Sequence, residues 1–435
     1  MIMENSEKLW TGKVPDNWKF YKGKYLFGER SERGNAINLQ LLSPTQKYGV
    51  IPQSMYDELT SMKSVKVKED TDLSTFKTIH RGDFCISLRS FQGGFEYSEY
   101  EGVVSPAYHV LFSKMDICAE YYKYLFKEQR FIAEMSSYCQ SLRDGKNISY
   151  FDFGRTLIPF PPLSEQQSIA DYLDETCFKI DEIIAEAKAS IDEYKELKQA
   201  VIFDGISLGT KSCCEYKKTT LEGIKKIPVA WEYRKLKFLI KYIESGVSVN
   251  AGNEPATELE YGVLKTSCVS KMFFIPSENK SVNKDEYARV KCPVCGNTII
   301  VSRMNTPDLV GACAYIEKNI NNIFLPDRLW QVHFNDDVNV KYVYYCLISP
   351  YIRNYYSSLS TGTSSSMQNI SQGQFANAII PYPSLEEQKE IVEFLDKRTA
   401  EIDSLIAEKE SLINDLEAYK KSLIYEVVTG KRKVV

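Results

Sequence analysis

The sequence has only three histidines in 435 residues, His80, His109 and His333, and none stands at metal spacing from a glutamate. Hydrolytic metal chemistry is therefore not expected. There is no G-x-G-x-x-G nucleotide turn, and no Asn/Asp-Pro-Pro-Tyr/Phe tetrapeptide of the kind adenine methyltransferases carry. Gly205-Ile-Ser-Leu-Gly-Thr-Lys-Ser212 superficially evokes a phosphate loop, but Thr210 replaces the glycine before the lysine and the stretch follows a helical pattern, not a strand. No catalytic residues are assigned. No run of eighteen apolar residues exists and the first ten residues are polar and acidic, so neither a membrane span nor a signal peptide is expected. The eleven cysteines are odd in number and scattered, which suits a reducing cytoplasm better than a disulfide framework.

What the chain does have is an internal repeat. Pro159-Phe-Pro-Pro-Leu-Ser-Glu-Gln166 recurs as Pro381-Tyr-Pro-Ser-Leu-Glu-Glu-Gln388, and the two stretches stay in register without a gap for some forty residues. The matches include Leu173 with Leu395, Asp174 with Asp396, Ile180 with Ile402, Asp181 with Asp403, and Lys198 with Lys420. The starts of the intervening segments also match: Pro15-Asp-Asn-Trp18 and Phe27 correspond to Pro228-Val-Ala-Trp231 and Ile240.

Each repeat reads as one long helix. The prolines hold the approach extended, and Ser164 with Gln167, or Ser384 with Glu387, fits a capping box. Apolar residues then recur every seven positions, with a second row between them. Leu173, Ile180, Ile184 and Ile191 mark this seam in the first helix, and Leu395, Ile402, Ile406 and Ile413 in the second. Roughly 44 residues make a rod of about 65 Å. Two rods with matching stripes are expected to pack on each other.

The net charge of −4 is unevenly spread. Residues 1–158 carry +1, 159–209 carry −7, 210–380 carry +5 and 381–435 carry −3. The helices hold the acid, so any polyanion belongs with the segments between them. Those segments contain short β-branched and aromatic runs with glycine punctuation, such as Asp83–Leu88 and Thr298–Ser302, and an aromatic helical stretch before each Pro-rich approach. The expected layout is a mixed α/β domain at 1–158, a helix at 159–209, a second domain at 210–380, and a helix with a basic tail at 381–435.

This layout resembles the specificity subunit of type I restriction–modification systems. The resemblance rests on Pro161-Pro-Leu-Ser-Glu-Gln166 and Pro383-Ser-Leu-Glu-Glu-Gln388, each closing a variable segment. Ser87-Leu-Arg-Ser-Phe-Gln-Gly-Gly94, Gly102–Tyr108, Asp327-Arg-Leu329 and Gly362–Ser371 look like strands of the family's recognition domains. It implies an α+β fold, with two target-recognition domains separated by helices in an antiparallel coiled coil of approximate two-fold symmetry. Each domain would read one half of a split, asymmetric double-stranded DNA target, and the coil would fix the unread spacer. Implied partners are two methyltransferase subunits, which flip an adenine out of the duplex, and restriction subunits that translocate DNA and cut it. S-adenosylmethionine, ATP and Mg are expected on those partners, and none on this chain. A prokaryotic, cytoplasmic protein follows, without a membrane role.

Candidate DNA-binding residues lie in polar loops. In the first segment these are Lys47 and Tyr48, then Arg89, Ser90 and Gln92 after the Asp83 strand, then Arg143, Lys146 and Asn147. In the second they are Lys265 and Thr266, Arg303 and Asn305 after the Thr298 strand, and Thr363, Ser364, Gln368 and Asn369. Unlike polar loops at equivalent sites suit two unlike half-targets, although the same residues also serve as solvated connectors. Cys292-Pro-Val-Cys295-Gly296 has the look of half a zinc ribbon, yet only the isolated Cys268 and Cys313 stand near; the other reading is a tight turn, and no metal site is assigned.

Overall fold

The computed structural model describes residues 10–33, 39–60, 73–86, 95–138, 148–210, 215–221, 223–359, 361–364 and 367–434. Two compact units emerge: Met1–Lys188 with Ser411–Val435, and Ala189–Glu410. Each unit thus combines one α/β domain with a portion of both long helices.

In the first unit four antiparallel strands lie side by side in the order Phe27–Glu29, His109–Ser113, Phe84–Ile86 and Phe95–Tyr97. Because side chains alternate along a strand, Phe84 and Cys85 enter different cores. Cys85 joins Leu42, Val50, Ile79, Val104 and Val110. Phe84 joins Phe27, Phe95, Phe126, Phe131 and Phe153, whose edge-on and tilted rings stand 5.0–5.9 Å apart. Each such pair contributes about 0.5–1.5 kcal/mol beyond the area it buries.

The second unit repeats this topology. Its strands Ile240–Ser245, Leu329–Phe334, Thr298–Ser302 and Cys313–Ile316 follow the same spatial order. Thr298–Ser302 therefore occupies the place that Phe84–Ile86 holds in the first unit. A further four-stranded sheet (Asn279–Ser281, Gly262–Leu264, Ile320–Phe324, Pro293–Val294) covers a core of its own around Leu264, Cys268, Val294 and Ile316.

The long helices run over Leu163–Leu208 and Leu385–Val428. Leu173, Ile180, Ile184, Ile191, Leu395, Ile402 and Ile413 are buried, while Ile406 is half-buried. Within the first unit, Lys420 Nζ lies 2.6 Å from Asp181, and within the second, Lys198 Nζ lies 2.7 Å from Asp403. Gly205 packs against Leu395 in that second unit, so later residues of one helix meet earlier residues of the other and the helices are antiparallel there. Lys198 and Lys420, and Asp181 and Asp403, are equivalent positions, so one bridge is made twice. The bridges are exposed, and each contributes well under about 1 kcal/mol. Their consequence is register.

The start of the first helix corrects one expectation. Ser384 does accept the amide of Glu387 at 3.3 Å, but Ser164 lies inside its helix, which begins at Leu163. The position equivalent to Ser384 is Pro162, whose carbonyl receives the amides of Glu165 and Gln166. A proline tolerates this place because helix-end amides have no partner to lose.

Other repeated residues fasten the helices to the domains. Gln166 and Gln388 are fully buried, and each donates Nε2 to the carbonyl of a proline five residues earlier, Pro161 at 2.9 Å and Pro383 at 3.0 Å. The hydroxyls of Tyr122 and Tyr342 bond Pro159 O and Pro381 O. Asp174 accepts from Lys123 and Tyr124, and Asp396 from Lys341 and Tyr345, at 2.6–3.0 Å. The Pro-rich segments themselves are strands: Leu157–Phe160 pairs with Lys19–Lys22, and Ile379–Tyr382 with Glu232–Lys235.

Candidate nucleic-acid interface

In the second domain, strand pairing gathers residues that are distant in sequence. Met304–Asn305 pairs antiparallel with Met367–Asn369, setting Met304 opposite Asn369 and Asn305 opposite Gln368. Met367–Asn369 also pairs with Thr361–Ser364, the strand that holds Thr363 and Ser364. Arg303 is locked beside this small sheet, its amide donating to Arg328 O at 3.1 Å and its carbonyl accepting from Ile370 N at 3.1 Å. Six of the eight second-domain candidates (Arg303, Asn305, Thr363, Ser364, Gln368 and Asn369) thus lie in or beside one three-stranded ribbon.

The donors and acceptors suit base edges. A guanidinium matches the two acceptors of guanine, and a carboxamide matches the donor–acceptor pair of adenine. Arg303, Asn305, Gln368 and Asn369 are half-buried. Arg303 Nε and Asn369 Oδ1 have no hydrogen-bond partner among the described residues. Asn305 is already engaged, accepting from the Thr306 amide at 2.9 Å. The loop that follows is braced by Arg353, whose Nη2 donates to Asp308 O at 2.8 Å; burial pulls this guanidinium below its ordinary pKa. Arg328 is not among the candidates read from the sequence. It is exposed and adjoins Arg303 through its carbonyl, and the only signal was its place in Asp327-Arg-Leu329.

Lys265 and Thr266 lie apart from the ribbon. Lys265 follows the strand Gly262–Leu264 of the other sheet and stands 3.9 Å from Glu278, while Thr266 opens a short 3-10 turn. In the first domain, Lys47 and Tyr48 form a turn with the ammonium 4.8 Å from the ring centre. Arg89, Ser90, Gln92, Arg143, Lys146 and Asn147 lie outside the described residues.

Within the Cys292–Cys295 segment Pro293–Val294 is a short strand, the bend falls after it at Gly296 and Asn297, and Gln331 holds the segment in place. Gln331 Oε1 accepts from the Cys295 amide at 2.8 Å, and its Nε2 donates to Pro293 O at 3.1 Å and Glu244 at 3.0 Å. Cys292 adopts φ +61°, and burial pushes its thiol well above the ordinary range. Burial also acts to raise Glu244, but hydrogen bonds from Gln331 and His333 prevail and hold that carboxyl below its usual value. Among the described residues, no three His, Cys, Asp or Glu side chains are grouped so as to hold a metal ion. Nor is any described helix long and apolar enough to cross a membrane.

Known proteins match this architecture. The family model of the type I restriction modification DNA specificity domain matches twice, over residues 15–193 and 228–415. The chain belongs to that family. The specificity subunit of the type I restriction enzyme MjaVIII from Methanocaldococcus jannaschii is 28% identical over 306 residues, 68% of either chain. The EcoEI specificity subunit from Escherichia coli is 26% identical over 173 residues, 39% of this chain but only 29% of that protein. A chain from a structural study of complex assembly and conformational transition in the type I R-M system superposes with a TM-score of 0.69, covering 97% of this chain and all of its own, at 14% identity. That last likeness concerns the fold.

Proposed function

We propose that this chain is the non-catalytic, sequence-reading subunit of a type I restriction–modification complex. Each recognition domain reads one half of a split, asymmetric target in double-stranded DNA. The paired helices set the spacer and dock two methyltransferase subunits, with restriction subunits joining the assembly. S-adenosylmethionine, ATP and Mg belong to those partners, and the complex works in a prokaryotic cytoplasm.

One observation carries this reading. The same scaffold is built twice, with the fastening residues kept, while the polar segments at the ends of equivalent strands differ. A shared frame with unlike reading loops is what two unlike half-sites require. Docking of two like partners is supported by the outer faces of the helices. At three pairs of equivalent positions a large apolar side chain stays 41–46% exposed: Leu163 and Leu385, Ile183 and Leu405, Leu197 and Tyr419. Repetition of such residues favours two copies of one partner over a single unique one.

The test is to map methylated adenines in the host genome with and without this gene. A bipartite motif with two different halves should vanish on deletion. Methylation that persists unchanged, or a purified chain that transfers methyl groups unaided, would refute the proposal.

A further inference from the structure

The duplication offers an internal comparison: a residue kept in both copies has a shared duty, inside the protein if buried and outside it if exposed. Most kept residues are buried or bonded within their unit. Apart from the exposed apolar pairs on the helices, one exposed cluster in the domains is not.

Just after the strand that pairs with each Pro-rich segment the chain makes a short helical turn, Gly23–Leu26 in one domain and Leu236–Phe238 in the other. The turns are held alike. Gly23 N donates to Thr156 O at 2.9 Å, and Leu236 N to Ala378 O at 2.9 Å. Leu26 and Leu239 anchor them in the cores. On the outside each turn presents the same pattern, Lys22-x-Lys24-Tyr25 and Lys235-x-Lys237-Phe238. Tyr25 is 57% exposed and Phe238 65%. Each has a lysine leaning on it: Lys24 Nζ lies 5.2 Å from the Tyr25 ring centre and Lys237 Nζ 4.9 Å from that of Phe238.

None of Lys22, Lys24, Lys235 and Lys237 forms an ion pair with a described residue, although carboxylates pair with neighbouring cations nearby. The surroundings add further positive charge. Arg155 lies over the exposed Phe151 at 4.9 Å, and Lys114 donates to Lys24 O. In the second domain a shallow cleft of about 390 Å³ beside the turn is lined by Arg234, Lys235 and Phe238.

We propose that Lys22, Lys24 and Tyr25 in one domain, and Lys235, Lys237 and Phe238 in the other, are a duplicated grip on the DNA backbone. The inference rests on the DNA-reading function proposed above and assigns a part of it: sequence-independent phosphate contact, separate from the unlike readout loops. Phosphates present the same chemistry at both half-sites, so their contacts survive duplication while base-reading residues diverge. Protein interfaces are depleted in lysine, whereas phosphate contacts are rich in it, so four unpaired lysines favour DNA over a protein partner. Replacement of tyrosine by phenylalanine between copies leaves the ring face as the shared feature, which positions the ammonium and packs on sugar.

The experiment uses the full chain with its methyltransferase partner, a duplex bearing the mapped target and a scrambled duplex, titrated with salt from about 50 to 200 mM. K22A/K24A and K235A/K237A should each weaken binding to both duplexes by the same factor, roughly eightfold per lost phosphate contact near 0.1 M salt. The slope of log affinity against log salt should shrink by about 0.9 per lysine, and arginine at the same positions should restore it. Y25A and F238A should weaken both by about two- to fivefold with the slope kept. Unchanged affinity and slope in the lysine variants would overturn the inference while leaving the parent function standing. So would loss of methyltransferase capture with the slope intact, which would make the turns a protein-docking surface. A wild-type complex that binds neither duplex would overturn the parent reading and this one with it.

Discussion

Replacing Gly430 by alanine should cost markedly more than the same change at Gly209, although both glycines follow the end of a long helix. Gly430 takes φ +69° and closes a Schellman turn, with its own amide on Val427 O at 3.1 Å and that of Lys431 on Glu426 O at 2.8 Å. Gly209 takes φ +75°. Any side chain in this left-handed region costs about 1–2 kcal/mol. The surroundings then separate the two. A Cβ at Gly430 would fall 2.4 Å and 2.6 Å from two ring carbons of Pro15 and 3.0 Å from Trp18, and a proline ring has no rotamer by which to move aside. Overpacking of that kind adds about 1–3 kcal/mol. A Cβ at Gly209 would meet Trp231 at 3.1 Å, which a shift of a few tenths of an ångström relieves. The expected losses are therefore about 2–5 kcal/mol for G430A and about 1–2 kcal/mol for G209A. Urea unfolding monitored by tryptophan fluorescence gives the totals, and hydrogen exchange over residues 12–20 and 424–434 reports whether the turn has lifted off Pro15 and Trp18. Equal losses, or a neutral G430A with protection unchanged, would refute the packing argument.

Three further predictions follow from other features. Glu96 is almost wholly buried and its pKa is raised to about 7, chiefly by loss of solvation and only partly offset by Lys127 2.5 Å away. A carboxyl that holds its proton longer when folded makes stability fall as pH rises between about 4.5 and 7, so wild type should lose on the order of 2 kcal/mol against E96Q across that window; parallel stability curves would count against it. Inserting one heptad after Lys188 and another after Glu410 adds about 10 Å to each helix, so the mapped spacer should grow by about three base pairs with both half-sites unaltered; an unchanged spacer in a folded, active protein would disprove the helices' role in setting it. Exchanging residues 225–380 for another such segment should change one half-site alone, read by sequencing of methylated adenines, and a change in both halves would contradict separate reading.

The repeat and the helices were legible because they rest on local pattern: sevenfold periodicity, prolines and a fixed spacing. What the repeated letters do was less so. Gln166 reads as part of a helix-start motif, yet its Oε1 accepts the amide of Cys118, forty-eight residues away, a partner that only the folded domain supplies. Ser164 reads as a cap because serine is a good one, yet a proline carbonyl two residues earlier takes the position instead. The ribbon that joins Arg303 and Asn305 to Gln368 and Asn369 depends on pairing between strands some sixty residues apart, which periodicity cannot reveal. Lys265 shows the converse, since a basic residue beside an aromatic run looks alike whether it is free or faces a Glu278.

The turn at Gly430 also bears on where the polypeptide is cut. A Cβ on Gly12 would lie 3.4 Å from Lys431 Nζ, so the two ends of the described chain are neighbours, at the place where the other half of the protein runs on covalently from helix to domain. Order along the gene is then a bookkeeping choice. A permuted polypeptide, with residue 434 tied to residue 10 and new termini opened after Gly209, would keep the contacts between these two ends and encode its domains in the opposite order.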